Sequence, residues 1–377
     1  MARAGDPMRI GVMLRCIDER GGIGVYARNI VEELLKLDHE NHYILFFRSE
    51  KHLHRFHAPN VTCRLLPSSS RAWWDQVAVP RAARRDRVDL LFNPKFTLPL
   101  LGKSKAVMVV HGADWFLDGY KQLYSLLDRL YMRVMMPLYF RRASAVISAS
   151  EFSTRGFVAH LRGSASKLRT IHYCGNRIFH PVADRASIQA VLDKHGLHDP
   201  FILTAIHYDS GRKNFANMAK AFALVHRQGI PHKFVVCGRD VERYAHALPL
   251  REMGIGQDVL FLGWVEQEDL PALYNAADLY LYPTRLEGFP IPITEALACG
   301  TPIVTSKGGV FPEAAGEAAV YVDPEDPADI AAGIRRVLED PALRQSMREK
   351  GLERAKLFTW ERCASLTLAL LQSLASL

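Results

Sequence analysis

The chain has 377 residues, of which 49% are hydrophobic, 23% charged and 10% aromatic. That mix excludes collagen-like, low-complexity and wholly disordered classes, and at roughly 100–200 residues per domain the length predicts two domains. The net charge is +8, but residues 1–180 hold 28 Lys/Arg against 15 Asp/Glu, while residues 181–377 hold 20 against 25; the first half is expected to meet something anionic.

The chain begins MARAGDPMRIGVML, an apolar run too short and too promptly broken by Arg15 for a signal peptide. No stretch approaches the roughly 20 apolar residues of a spanning helix. The six cysteines stand far apart with no Cys-x-x-Cys pair. Reduced thiols in a cytosolic protein are expected, rather than a disulfide framework or a zinc ribbon.

Short apolar runs predict strands at 8–14, 43–47, 61–66, 89–92, 106–110, 145–149 and 168–172. Helical patterns lie between them, as at 23–37, where Ile23, Tyr26, Ile30, Val31, Leu34 and Leu35 recur at helical spacing. Gly21 and Gly22 join the first strand to that helix, a junction that lets backbone approach an anion but equally an ordinary tight turn. His111 directly follows the strand AVMVV, with Asp114 nearby to orient it. Such a histidine can donate to a ligand or act as a general base, and can equally be satisfied in the domain wall.

Residues 119–142 form a basic amphipathic stretch. Leu126, Leu127, Leu130, Tyr131, Val134, Met135 and Leu138 line one side, with Arg129, Arg133, Arg141 and Arg142 around it. An ordinary core-facing helix with a basic outer face is one reading; a surface lying on anionic lipid is the other.

The segment 174–185 has no clear period and reads as a linker, after which the alternation restarts. Strands are predicted at 201–206, 233–237, 259–262, 279–282, 302–305 and 319–322, and a final helix over 359–376. Apolar strand runs separated by helices predict parallel sheets covered on both faces. The domains expected are residues 1–180 and 181–358, followed by a terminal helix, 359–377.

Arg212 and Lys213 follow the strand FILTAI, with a helix beginning near Asn214. Two fixed cations at a helix start make a phosphate site without a metal, unless they form a solvated basic turn. The segment PTRLEGFPIPITE, 283–295, follows the strand LYLY. It places Glu287 in a glycine-containing loop and starts a helix near Pro292. Glu295 is then expected in the first helical turn, ionised by the dipole and able to grip two sugar hydroxyls, or simply complementing the dipole. In SKGGVFPE, 306–313, Gly308 and Gly309 read equally as a structural turn and as an anion cradle, with Glu313 one turn on.

Together these segments resemble the family 4 glycosyltransferases. The resemblance runs through RKNF (212–215), VVCGRD (235–240), the long segment 259–306 around Glu287 and Glu295, GGVFPEAAGEAAVYVDP (308–324) and FTW (358–360). It is looser in RGGIGVYARNI (20–30), His111 and SASEFSTRGF (148–157).

The resemblance implies an α/β GT-B fold, with two doubly wound Rossmann-like domains facing each other across a cleft. It also implies retaining transfer of a hexose from a GDP- or UDP-linked sugar. The implied acceptor is a glycan, lipid-linked or small-molecule species in cell-surface polysaccharide or glycolipid synthesis. It lies on the side of residues 1–180, with the donor bound by residues 181–358, and the implied terminal helix crosses back to the first domain. Glu295 resembles the glutamate that holds the nucleotide ribose, and Glu287 the one beside the donor sugar. Arg212 and Lys213 resemble the basic pair on the diphosphate, and Gly22 the glycine loop near diphosphate and acceptor. His111 resembles the histidine reaching the donor sugar, and Gly288 and Phe289 complete the nucleotide-sugar contacts. Many members carry arginine six residues before the lysine, where this chain has His207, and the usual Asn-Gly is replaced by Cys174-Gly175-Asn176.

No cofactor or metal is expected, the nucleotide sugar being a co-substrate. The expected location is cytoplasmic, with peripheral contact at an anionic inner membrane face, and nucleic acid is not an expected partner. The competing classes are a nucleotide-sugar epimerase on a similar scaffold and a non-enzymatic basic module binding membrane or nucleic acid.

Overall fold

The computed structural model describes residues 7–19, 21–116, 125–175, 177–209 and 211–375. Arg20, residues 119–124 of the amphipathic stretch, Asn176, Ser210 and residues 376–377 lie outside the described residues.

The N-terminal half builds seven strands: β1 (Arg9–Met13), β2 (His42–Phe47), β3 (Val61–Leu65), β4 (Leu90–Asn93), β5 (Lys105–Val110), β6 (Ala145–Ser148) and β7 (Leu168–Thr170). They form one sheet in the order β3-β2-β1-β4-β5-β6-β7, and every pairing is parallel. The C-terminal half adds β8 (Phe201–Ala205), β9 (Lys233–Cys237), β10 (Val259–Gly263), β11 (Leu279–Tyr282), β12 (Ile303–Ser306) and β13 (Ala319–Val322). These give a second parallel sheet in the order β10-β9-β8-β11-β12-β13. Strands such as β4 and β11 are buried at every position, because helices cover both faces of each sheet.

In both sheets the strand order reverses once, between β1 and β4 and between β8 and β11. The crevice outside the strand carboxyl ends at such a reversal is where open α/β sheets bind ligands.

The chain divides into two units, Met1–Tyr173 with Thr359–Leu377, and Cys174–Phe358. The division falls at 173/174, earlier than the boundary at 180 read from the sequence, because Gly175, His180 and Val182 bond within the C-terminal unit. Gly175 N–H donates to Thr294 Oγ1 at 3.1 Å, and Asn275 receives Val182 N–H at 2.9 Å and donates to the His180 carbonyl at 3.0 Å. The helix Trp360–Ala375 packs in the N-terminal unit against the helix Gly22–Leu37, with Trp360 5.8 Å from Tyr26.

The helix Leu126–Arg142 differs from its core-facing reading. It buries Met132, Met136, Tyr139 and Phe140, while Leu126, Leu127, Leu130, Val134 and Leu138 are exposed. Helical spacing makes the stretch two-sided but does not say which side turns inward. Among the described residues, no helix is long and apolar enough to cross a membrane.

Candidate active site

The C-terminal unit gathers its charged residues at the β8/β11 reversal. Past β8, the Asp209 carboxylate accepts from the backbone N–H groups of Gly211 at 2.9 Å and Lys213 at 3.0 Å, curling the loop back on itself. Asn214 then takes a left-handed conformation (φ 60°), which asparagine tolerates better than most residues, at the position just before the helix Phe215–Arg227. Its side-chain amide donates to the carbonyls of Pro283 at 2.8 Å and Pro324 at 2.7 Å. Arg285 N–H donates to the Arg212 carbonyl at 3.0 Å. These bonds stitch the loop after β8 to the loop after β11.

The stitching brings Lys213 onto Glu287. Lys213 Nζ donates to Glu287 Oε1 at 2.6 Å and to the Tyr282 hydroxyl at 3.1 Å, and Tyr282 donates to the same carboxylate at 3.1 Å. Arg212 Nη1 stands 3.5 Å from Glu287 Oε2, with its Nε 3.6 Å from Asp209. Lys213 is only 6% exposed, so the solvated-turn reading falls. Burial alone would raise the Glu287 carboxyl, but Lys213, Arg212 and Tyr282 together hold it below its usual range. Burial, helped by Arg212, lowers the Lys213 ammonium against the pull of Glu287. The result is a desolvated cation held in place by a carboxylate, with a second cation beside it.

His207 lies two residues past the end of β8, at the same reversal. Burial first, then Lys213 and Arg212, push its imidazole down to about 4, so it is neutral near pH 7.

Glu295 corrects an expectation. The helix Ile291–Cys299 has no acidic residue in its first turn, and Glu295 sits in the second. Burial pushes its carboxyl up to about 7, opposed by the Tyr274 hydroxyl, which donates to Oε2 at 3.1 Å. Desolvation exceeds a dipole whose reach is the first turn, so Glu295 is poised between its two charge states rather than held ionised. Gly175 lies against it so closely that a Cβ there would strike the Glu295 side chain. Gly175 and Tyr274 are thus part of this site; the sequence signal for Gly175 was its place in the altered Cys174-Gly175-Asn176 segment.

Phe289 is buried, with its ring edge-on to Phe358 at 5.5 Å, so the aromatic face is spent on the core. Gly288, beside it, is partly exposed. In the loop after β12, Gly309 takes φ 69° while Gly308 faces open space. Lys307 pairs with Asp323 at 3.0 Å, and the Glu313 carbonyl accepts from Arg354 at 2.6 Å.

In the N-terminal unit, Gly22 opens its helix behind Gly21, and both are exposed. The glycine that packing demands is Gly24, where a Cβ would collide with the Glu19 carbonyl. Gly24→Ala is therefore expected to destabilise the chain by about 1–3 kcal/mol, the usual cost of overpacking, while Gly21→Ala, in open space, costs far less. Urea unfolding followed by circular dichroism checks the contrast, and equal midpoints would refute it.

His111 directly follows β5 and lies edge-on to Tyr26 at 5.1 Å. Its Nε2 meets the Pro94 carbonyl at 2.8 Å and its Nδ1 meets the Tyr173 hydroxyl at 3.2 Å. A carbonyl only accepts, so Nε2 carries the proton and Nδ1 accepts from Tyr173. Asp114 therefore does not orient the ring. Burial lowers the imidazole to about 4 despite the Pro94 bond, leaving it neutral with both nitrogens engaged.

Among the described residues, no three His, Cys, Asp or Glu side chains converge as around a metal ion. Arg212 and Lys213 bring positive charge to the site beside Glu287.

Comparison with known proteins agrees with this architecture. The sequence profile described as Glycosyltransferase Family 4 matches residues 20–174, and that described as Glycosyl transferases group 1 matches residues 188–354. With both halves matched, the chain belongs to the family 4 glycosyltransferases and has the GT-B fold. It is an enzyme of the glycosyltransferase class that uses nucleotide sugars.

It is similar to the O-antigen chain mannosyltransferase B of Escherichia coli, 29% identical over 309 residues, which are 81% of this chain and 77% of that one. It is 28% identical over 234 residues to the serotype-specific mannosyltransferase WbdA of Escherichia coli, covering 61% of this chain but 29% of that longer protein. Among solved structures, the sucrose-phosphate synthase of Thermosynechococcus elongatus superposes with a TM-score of 0.80 at 22% identity, covering 98% of this chain and 99% of that one. The HepE protein of Anabaena, in complex with UDP and glucose, gives 0.77 at 18% identity, covering 97% and 100%.

Proposed function

We propose that the chain is a retaining, metal-independent hexosyltransferase that moves a sugar from a GDP- or UDP-linked donor to a glycan or lipid-linked acceptor in cell-surface polysaccharide synthesis. One observation carries the chemistry: the Lys213–Glu287–Tyr282 cluster, with Arg212 beside it, at the β8/β11 reversal. As the bond to the anomeric carbon breaks, negative charge grows on the departing diphosphate. A desolvated ammonium and a neighbouring guanidinium stabilise that charge more than they stabilise the bound donor, which is what accelerates the step. Glu287 keeps Lys213 charged and aimed until the diphosphate takes over as its partner.

Glu287 is tied to Lys213, Arg212 and Tyr282 and so is committed to the cations rather than free to attack the sugar. Same-face substitution through an oxocarbenium-like ion pair then accounts for retention without a covalent intermediate. Glu295 takes the ribose hydroxyls in its ionised form. His111, neutral and with both ring nitrogens bonded within the N-terminal unit, is not poised as a general base. Mannose is favoured by the similarity to mannosyltransferases.

The test is turnover over a panel of GDP- and UDP-sugars, with product configuration read by NMR. Full activity is expected in EDTA, with retained configuration. Activity lost in EDTA and restored by magnesium or manganese would overturn the metal claim, and an inverted product the mechanism.

A further inference from the structure

The helix Leu126–Arg142 turns its apolar side outward. Leu126 is 72% exposed, Leu127 78% and Leu130 58%, and Tyr131, Val134 and Leu138 are exposed with them. At 100° per residue these six side chains fall on a single continuous face. The opposite face, through Met132, Met136, Tyr139 and Phe140, is the one packed into the core of the N-terminal unit. The helix is therefore already anchored, and its outward apolar face is surplus to folding. Exposing that much contiguous apolar surface is costly in a water-facing protein and marks an interaction site.

The charges around the face identify what it meets. Arg133 and Arg141 are exposed on the same helix. The helix ends at Arg142, whose Nη2 donates to the Ser104 carbonyl at 2.6 Å and bonds that of Gly102 at 3.4 Å. This holds the 101–104 loop alongside, where Leu101 is exposed next to the exposed Lys103. Leucines bordered by arginine and lysine, in a half of the chain with 28 cations against 15 anions, complement a surface apolar below and negative above. We infer that this face docks on an anionic lipid bilayer, lying in its plane with the leucines at the headgroup–acyl boundary and the cations among the headgroups. The inference deepens the proposed lipid-linked acceptor and takes its purpose from that reading, but the binding itself needs neither donor nor acceptor.

The experiment is sedimentation of the full chain with vesicles of phosphatidylcholine alone or mixed equally with phosphatidylglycerol, at low and high salt. Wild type is expected to partition to the anionic vesicles and to release in salt. Arg133→Gln with Arg141→Gln should weaken partitioning by roughly fivefold for each arginine. The triple variant Leu126→Ser, Leu130→Ser, Val134→Ser should weaken it by more than about tenfold. Because these side chains are exposed, both variants should keep wild-type unfolding midpoints and donor hydrolysis. Equal partitioning to both vesicle types, or partitioning unmoved by either variant, would overturn the inference. So would a wild-type dimer in analytical ultracentrifugation that the triple serine variant converts to a monomer, since a second copy would then be the occupant. Failure of donor hydrolysis in wild type would instead overturn the transferase reading, which keeps the two distinguishable.

Discussion

Lys213→Ala is expected to lower turnover by about 10²–10³, the scale of one lost donor to a developing anion. The effect should fall mainly on kcat, because the ammonium matters most when the leaving diphosphate carries its full charge. A second consequence follows from the geometry. Glu287 is largely shielded from water, its side chain 10% exposed, against Lys213 at 2.6 Å, with Arg212 at 3.5 Å, and removing the nearer cation leaves a carboxylate poorly compensated. Breaking a buried pair from one side costs about 3–5 kcal/mol, so the single variant should also be less stable. The double variant Lys213→Ala, Glu287→Gln separates the two effects. It should regain much of the stability, since no charge is left stranded, and none of the turnover. Steady-state kinetics with urea unfolding on the same preparations decide this, and a double variant that turns over within tenfold of wild type would remove Lys213 from the chemistry.

Glu295→Ala is expected to weaken donor binding by about 10²–10⁴-fold while changing kcat little. A carboxylate bonded to two ribose hydroxyls makes charge-assisted bonds worth roughly 1.5–3 kcal/mol each, and the ribose does not change charge during the reaction. The same residue predicts a pH dependence. Its carboxyl is raised to about 7 by burial, and only the ionised form accepts both hydroxyls. Binding therefore favours the ionised form and releases a proton below that value. Affinity for an intact nucleotide sugar should rise roughly tenfold between pH 6 and pH 8, because the diphosphate diester does not titrate there and His207 and His111, both near 4, stay neutral. Glu295→Gln should flatten the profile. Calorimetry in buffers of different ionisation enthalpy reads the released proton directly, and a wild-type affinity flat from pH 6 to 8 with no proton release would remove the ribose role.

The two sheets could be read from the amino acids because parallel strands buried on both faces leave continuous apolar runs. AVMVV became β5 and LYLY became β11 for that reason. The strand tips were legible too, which is why His111, Arg212, Lys213 and Glu287 stood out beside the turns that follow β5, β8 and β11. Partnership was not legible. Lys213 and Glu287 meet because Asn214 and Arg285 join two loops across the strand-order reversal, and Tyr282, invisible as a polar residue inside an apolar strand, closes the contact.

Charge state was equally hidden. The helix start near Pro292 predicted an ionised Glu295, but its protonation depends on how much water Tyr274 and Gly175 exclude, a property of packing between segments distant in the chain. The glycine motif behaved in the same way: spacing pointed to Gly22, while the close approach of the Glu19 carbonyl requires Gly24.

Periodicity over 119–142 predicted a two-sided stretch whose leucine side could face either the core or a lipid surface. Four residues, Met132, Met136, Tyr139 and Phe140, fill the space against the first sheet, and their fit decides that the leucines point outward. Local sequence sets the spacing of side chains along an element, but burial is a relation between elements, so only the tertiary structure assigns a face, a partner and a protonation state.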